Sequence, residues 1–367
     1  MIYLENKIFN EVKKGNNKAI ENALLIVSGL EGNKVYSYKR KLDEIEFQFD
    51  RYQEKHGKPV NHRGLAAQLC DFINERKALH YERDTRLLTQ AIDGSLGGTQ
   101  TRIGNCLALS ELYAVLGVRK SLELSCEATH DHIWLNLEYE KKYIPIDLAR
   151  SIDARSSSQK IRARGDKGVK LPLGYLVSAA LEDLATDIRD NIASLKIAER
   201  AVDICLNSPF SYINLALCKG DTGDLFGALE DCNKAISIGH ESPYLYIARA
   251  NVQAELKNYP AALIDFEKAL KLDQNYEDVY YWRGKMYYNI GNFNAASTDF
   301  ARYFSFLSNY SKYEKIEEKS ECLINLGISF AQLGKIESAL VALDAALKIN
   351  PENELAPEWK EKLLKNN

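Results

Sequence analysis

The sequence predicts two halves of different class: an α+β N-terminal domain, helices with a small antiparallel sheet, and an all-α solenoid behind it. Three observations carry this. Stretches beginning at Tyr212, Tyr246 and Tyr280 align with a period of 34 residues, and self-similarity at that length marks stacked helical pairs. The stretch "DHIWLNLEYEKKYIPIDLA" alternates as a half-buried antiparallel hairpin does. At 367 residues, the chain also exceeds the length at which a single hydrophobic core stops growing.

Taken in order, residues 1 to 100 read as several helices, among them "KAIENALLIVSGL" and "LAAQLCDFINERKAL", followed by a glycine-rich approach to Cys106. The stretch "GNCLALSELYAVLG", residues 104 to 117, predicts a turn and then an apolar helix that stops at Gly117, with Leu107, Leu112, Val115 and Leu116 as its buried stripe. Cys106 falls in the first turn of that helix. The free N–H groups and partial positive charge there favour thiolate over thiol, and the same N–H groups suit an oxyanion formed by attack on a carbonyl. The plainer reading is a small buried hydrophobe, as most free cysteines are.

In the hairpin, Ile133, Leu135 and Leu137 share one face and His132 and Trp134 the other. Asp147 lies 15 residues beyond His132, so a two-residue turn puts both side chains on the same face of the ribbon. A turn at Tyr139 and Glu140 sets them directly opposite, and one at Lys141 and Lys142 offsets them by two pairs. The second has the better turn chemistry. Beyond the hairpin, residues 149 to 174 combine turn formers with Arg and Lys and read as a charged loop. Residues 175 to 205 return to helical spacing.

The C-terminal copies keep a small residue in the first helix (Ala216, Ala250, Gly284, Gly327) and a turn glycine (Gly223, Gly291, Gly334), from which Lys257 departs. The second helix supplies Ala228, Ala262, Ala296 and Ala339, then a packing residue at Cys232, Phe266, Phe300 and Leu343. The fourth copy, from Leu323, arrives nine residues late, behind an insertion around "SFLSNYSKYEK". These units resemble the tetratricopeptide repeat. The small residues let paired helices approach, the large ones fill the gap to the next pair, and "ENELAPEWKEKLLKNN" suits the polar helix that caps such a stack. The resemblance implies that Phe210, Tyr244, Asn251, Tyr281, Lys285 and Tyr288, with Ile213 and Asn289, lie on a concave face that binds a protein or peptide. Packing of the repeats on the N-terminal domain is the alternative use of those residues.

The stretches "RIGNCLALSELYAVLGV", "DHIWLNLEY" and "YIPIDLA", in that order, resemble the transglutaminase-like superfamily over roughly residues 85 to 150. The resemblance implies a papain-like triad with Cys106 as nucleophile, His132 as base and Asp147 as the group that orients it. Gln100 stands at the spacing of a papain-like oxyanion-hole glutamine, and a plain loop glutamine is the alternative reading. The implied chemistry is cysteine-dependent acyl transfer or amide hydrolysis on a protein recruited by the repeats, with water or an amine as acceptor. The alternative is a catalytically silent protein-interaction scaffold. The expected domains are 1–150 (transglutaminase-like), 151–205 (basic loop and bridging helices), 206–351 (four repeats) and 352–367 (capping helix).

Composition narrows the partners. A net charge of −3, with 46% hydrophobic and 27% charged residues, gives no general pull toward nucleic acid or a membrane surface. Seven cysteines without a CxxC pair argue against a disulfide framework or a zinc ribbon. His130 and His132 have no carboxylate or cysteine cluster beside them in sequence to complete a metal site, so neither a metal nor a cofactor is expected. The stretch "MIYLENKIFNEVKKGNNK" has no signal-peptide core, and no later segment reads as a membrane span. A cytoplasmic protein is the expectation.

Overall fold

The computed structural model describes residues 2–30, 33–77, 88, 91–92, 106–128, 133–146, 168–239, 241–309 and 315–365; the side chains of residues 2–5, 74–77 and 106 are outside that description. The chain forms two compact units, Met1–His240 and Glu241–Asn367. The boundary expected near residue 205 falls inside the first unit, and the repeat starting at Tyr212 belongs to that unit.

The first unit opens with α1 (Ile2–Lys13), α2 (Ile20–Val27), α3 (Asn33–His56) and α4 (His62–Lys77). Leu24 and Leu25 of α2, Leu42, Ile45 and Phe49 of α3 and Leu69 and Phe72 of α4 are buried. The rings of Phe49 and Phe72 meet with centroids 5.1 Å apart. Next comes α5 (Cys106–Arg119), every described residue of which is buried as far as Gly117. The Tyr113 hydroxyl donates 2.8 Å to the Ala66 carbonyl of α4. At the other end Arg119 forks onto Glu21 of α2 at 2.8 and 2.9 Å and reaches Asp43 of α3 at 2.7 Å. The helix does not stop at Gly117 as the sequence suggested. That residue is glycine for packing, because a Cβ there would stand 2.8 Å from Leu124 Cδ1.

The strands β1 (Leu124–Ala128), β2 (Ile133–Tyr139), β3 (Lys142–Ile146) and β4 (Val169–Leu171) form an antiparallel sheet in the order β3-β2-β1-β4. Cys126 pairs with Leu135 on one side and Leu171 on the other, and Leu135 pairs with Ile146. One face therefore carries Leu124, Cys126, Ile133, Leu135 and Leu137, all buried, and the Gly117–Leu124 contact places α5 on it. The β2–β3 turn is neither of the two expected. It consists of Glu140 and Lys141, both left-handed with φ 50° and 61°, and pairs Tyr139 with Lys142. Two positive φ values match the strand twist but suit Asn-Gly better, so the side chains gave no hint of this turn. Among the described residues β3 is an edge strand, and Pro145 is tolerated there because an edge need not supply every N–H to the ladder.

Two helix pairs complete the first unit: α6 (Tyr175–Asp187) with α7 (Asn191–Ile204), and α8 (Pro209–Asp221) with α9 (Leu225–Ile238). Each helix packs on the next in order. Asp190 caps α7 and Ser208 caps α8 through their side-chain oxygens, which satisfies amides left open at a helix start. On the far side α1 holds α7 through a Lys13–Asp203 ion pair and the Arg200 guanidinium over the Phe9 ring.

The second unit contains α10 (Pro243–Glu255), α11 (Tyr259–Leu272), α12 (Glu277–Asn289), α13 (Phe293–Leu307), α14 (Ile316–Gln332), α15 (Ile336–Ile349) and α16 (Leu355–Lys365). Its core gathers Phe300, Tyr303, Leu307, Cys322, Leu323 and Leu343, with Trp359 of α16 packed against it. A Cβ at Gly284 would meet Phe300 at 3.0 Å, and one at Gly327 would meet Leu343 at 3.0 Å, so the small and large positions face each other. The insertion lengthens α13 and gives α14 extra residues at its start; residues 310–314 lie outside the described ones.

Candidate functional site

The first candidate site is only partly within the described structure. Cys106 is the first described residue of α5, because residues 101–105 lie outside the described ones. Its side chain, Gln100, His130, His132 and Asp147 lie outside the described residues. The described part of β2 runs from Ile133 and that of β3 runs to Ile146. Around them, Trp134 and Asn136 of β2 are buried on the face opposite α5, and Asn136 Nδ2 donates 3.4 Å to Glu127 of β1. Gly168 closes over this pair, since a Cβ would lie 2.7 Å from the Trp134 ring. Five residues after Cys106, Glu111 is buried within α5. Burial holds its carboxyl well above the usual range, and the Asp183 carboxylate of α6 adds to the effect. No sequence signal marked Glu111 as special, because "CLALSELYAVLG" reads as an apolar helix in which one Glu stands outside the stripe of Leu107, Leu112, Val115 and Leu116.

The second candidate site is the row of first-helix residues in the repeats. Phe210 is packed inside its unit at 8% exposure and offers no exposed anchor. Tyr244, Asn251, Tyr281, Lys285 and Tyr288 are half-buried. Tyr281 is held at two points. Its hydroxyl donates 2.6 Å to Glu321 of α14, and its ring meets Trp282 edge-on at 5.2 Å. Lys285 Nζ stands 4.9 Å from the Trp282 ring centre and 5.3 Å from that of Tyr281, which is cation–π geometry. Burial and the Glu321 contact together push the Tyr281 phenol up. Trp282 is exposed at 37%, so the cluster presents an aromatic surface with a cation at one end and a carboxylate at the other.

Residues 254–291 match the family described as TPR repeat, and residues 320–353 match the family described as tetratricopeptide repeat. The C-terminal helix pairs are tetratricopeptide repeats. The chain is also similar to solved repeat structures at low identity. The APC/C hetero-tetramer Cut9-Hcn1 matches at 12% identity and a TM-score of 0.46, over 52% of this chain and 36% of that one. This chain thus spans about a third of that protein's length. A thermophilic TPR protein of Thermus thermophilus, TTC0263, matches at 18% identity and a TM-score of 0.44, over 51% and 98% of the two chains. YrrB, described as a TPR protein with an unusual peptide-binding site, matches at 19% identity and a TM-score of 0.37, over 56% and 97%. No curated protein matches the sequence.

The tetratricopeptide repeats have one further member of their spacing that the sequence reading passed over. First helices begin at residues 175, 209, 243 and 277, and second helices at 191, 225, 259 and 293, each 34 residues apart. In this register the α6–α7 pair puts Glu182 where the repeats have Ala216, Ala250 and Gly284, and Ala198 where they have Cys232, Phe266 and Phe300. The exchange of a large for a small residue at one position, and the reverse at the other, hides the pair from pattern matching.

Among the described residues no helix is long and apolar enough to cross a membrane, and no three His, Cys, Asp or Glu side chains gather to hold a metal ion. The six cysteines whose side chains are described are free thiols.

Proposed function

We propose that this chain is a protein-interaction scaffold whose tetratricopeptide repeats take a segment of another protein. Tetratricopeptide repeats generally bind proteins or peptides, and the observation that supports this use is the Tyr281–Trp282–Lys285 cluster. Partly exposed aromatic side chains fixed by neighbours cost little entropy on binding and make good anchors. In this reading Tyr244, Asn251 and Tyr288, which the repeat resemblance assigns to the same face, supply further polar and aromatic contacts to the bound segment. A photo-crosslinking residue placed at Tyr288 tests the reading in cells. The expected result is a discrete cross-linked protein that disappears when Trp282→Ala is added and is absent with the crosslinker at Lys271. Equal labelling from both positions would remove the support.

A second reading rests on the order of Cys106, His132 and Asp147 in the sequence and on the helix that includes Cys106. In it the Cys106 thiolate attacks an amide carbonyl and forms a thioester, and His132, which took the thiol proton, gives it to the departing amine. Asp147 holds the imidazole tautomer and Gln100 helps bind the oxyanion. Water then releases an acid, or a lysine amine takes the acyl group. Iodoacetamide labelling against pH tests this reading. An activated Cys106 alkylates well below pH 8, and a rate that rises only near the ordinary thiol pKa of about 8.5 would exclude it.

A further inference from the structure

We propose that Glu182 is a proton-operated latch that fastens the first recognised repeat, at α8, to the α6–α7 pair. The geometry is a closed cluster. Ser211 of α8 donates 2.5 Å to Glu182 Oε1. The Ser178 hydroxyl lies 3.3 Å from the same oxygen and 3.0 Å from Ser211 Oγ, while donating 2.7 Å to the Ala201 carbonyl of α7. The Tyr175 phenol lies near enough to favour the ionised form of the carboxyl. Asn214 of α8 reaches the Glu182 backbone carbonyl at 3.4 Å. One carboxyl thus touches groups that tie three helices together, at the position where the repeats carry alanine or glycine.

The surroundings oppose a negative charge there. Asp183 is adjacent on α6, and Glu111 of α5 faces Asp183. Cys205, in the α7–α8 connection, senses the Glu182 charge, and Tyr175 senses both that cysteine and Cys126 of β1. Tyr212 of α8 in turn lies near Cys205. None of these groups carries a positive charge. Burial raises the Glu182 carboxyl to about 7 from its ordinary value of 4.5, with the hydroxyls pulling the other way. Protonated, the carboxyl is a neutral member of the cluster. Ionised, it is a buried anion whose most direct relief is hydration, which opening of the α6–α8 contact provides.

Hydrogen exchange on the full chain tests the latch, with rates in residues 211–214 corrected for the intrinsic effect of pH. If opening exposes Glu182, the corrected rate rises about thirtyfold between pH 5.5 and 8.5, from the folded and open values of about 7 and 4.5. Glu182→Gln should stay protected at both values, and Glu111→Gln should keep the wild-type rise. Ser211→Ala should move the midpoint upward, because it removes a donor that stabilises the ionised form. A flat wild-type profile, or a rise that Glu111→Gln abolishes and Glu182→Gln does not, would overturn the proposal.

Discussion

Arg283 forks onto Asp299, with Nε on Oδ2 and Nη2 on Oδ1, both at 2.8 Å. The same fork recurs one repeat earlier, between Arg249 and Asp265, at 2.8 and 2.7 Å. Both aspartates are buried, so each pair joins the first helix of a repeat to its second. The fourth repeat has Leu326 and Ala342 at the equivalent positions. Removing one partner of a buried pair leaves a charge without compensation, whereas replacing both by well-packed apolar groups is often close to neutral. Arg283→Ala should therefore cost about 3 kcal/mol of stability. The double replacement Arg283→Leu with Asp299→Ala, copied from the fourth repeat, should stay within about 1 kcal/mol of wild type. Urea unfolding of the three proteins checks this; a double variant as unstable as Arg283→Ala would refute it.

The turn in the second repeat invites the opposite kind of change. Gly223, Gly291 and Gly334 are left-handed with φ 87°, 78° and 71°, and Lys257 holds the same conformation with φ 60°. A side chain in that region costs roughly 1–2 kcal/mol, part of which glycine gives back through greater freedom of the unfolded chain. Lys257→Gly should raise stability by about 0.5–1 kcal/mol. A thermal midpoint that falls instead would show that the Lys257 side chain makes contacts outweighing the strain.

Where residue types repeat, the fold was legible. Ala262 and Phe266, or Ala296 and Phe300, recur because packing of one pair on the next leaves little choice of size. The α6–α7 pair obeys the same spacing but solves its packing with Glu182 and Ala198, so its period is visible only in the helix starts. The β2–β3 turn was misplaced for a related reason: Glu140 and Lys141 adopt a backbone that their side chains do not advertise. At the candidate site the described residues show a helix that includes Cys106, and the side chains of all three triad positions lie outside the described residues. Glu111 escaped notice because burial of a carboxyl is a property of its surroundings.

Gly117 illustrates how a glycine can be read wrongly. Its place after an apolar run suggested a helix stop, yet α5 continues to Arg119. The close approach of Leu124 is what demands it. Gly117→Ala should lose about 1–3 kcal/mol through overpacking, despite alanine's better helix propensity. Adding Leu124→Ala should recover part of that loss by making room, and a stabilised Gly117→Ala protein would overturn the packing account.

The Glu182 carboxyl also sets a direction for stability against pH. Its folded value, about 7, lies above the ordinary value of 4.5 taken for the unfolded chain. The folded state therefore binds more protons between those two values, and the stability the group contributes is complete below 4.5 and lost as pH rises through about 7. Between pH 5.5 and 8.5 this amounts to about 2 kcal/mol. Trp134 belongs to the first unit and Trp282 and Trp359 to the second, so a Trp282→Phe, Trp359→Phe background lets fluorescence follow the first unit alone. In that background the wild-type urea midpoint should fall relative to Glu182→Gln as pH rises. Other groups titrate in the same range, but they do so in both proteins, and the difference between the two curves isolates the carboxyl. Curves that run parallel from pH 5.5 to 8.5 would mean that Glu182 ionises alike in the folded and unfolded chains.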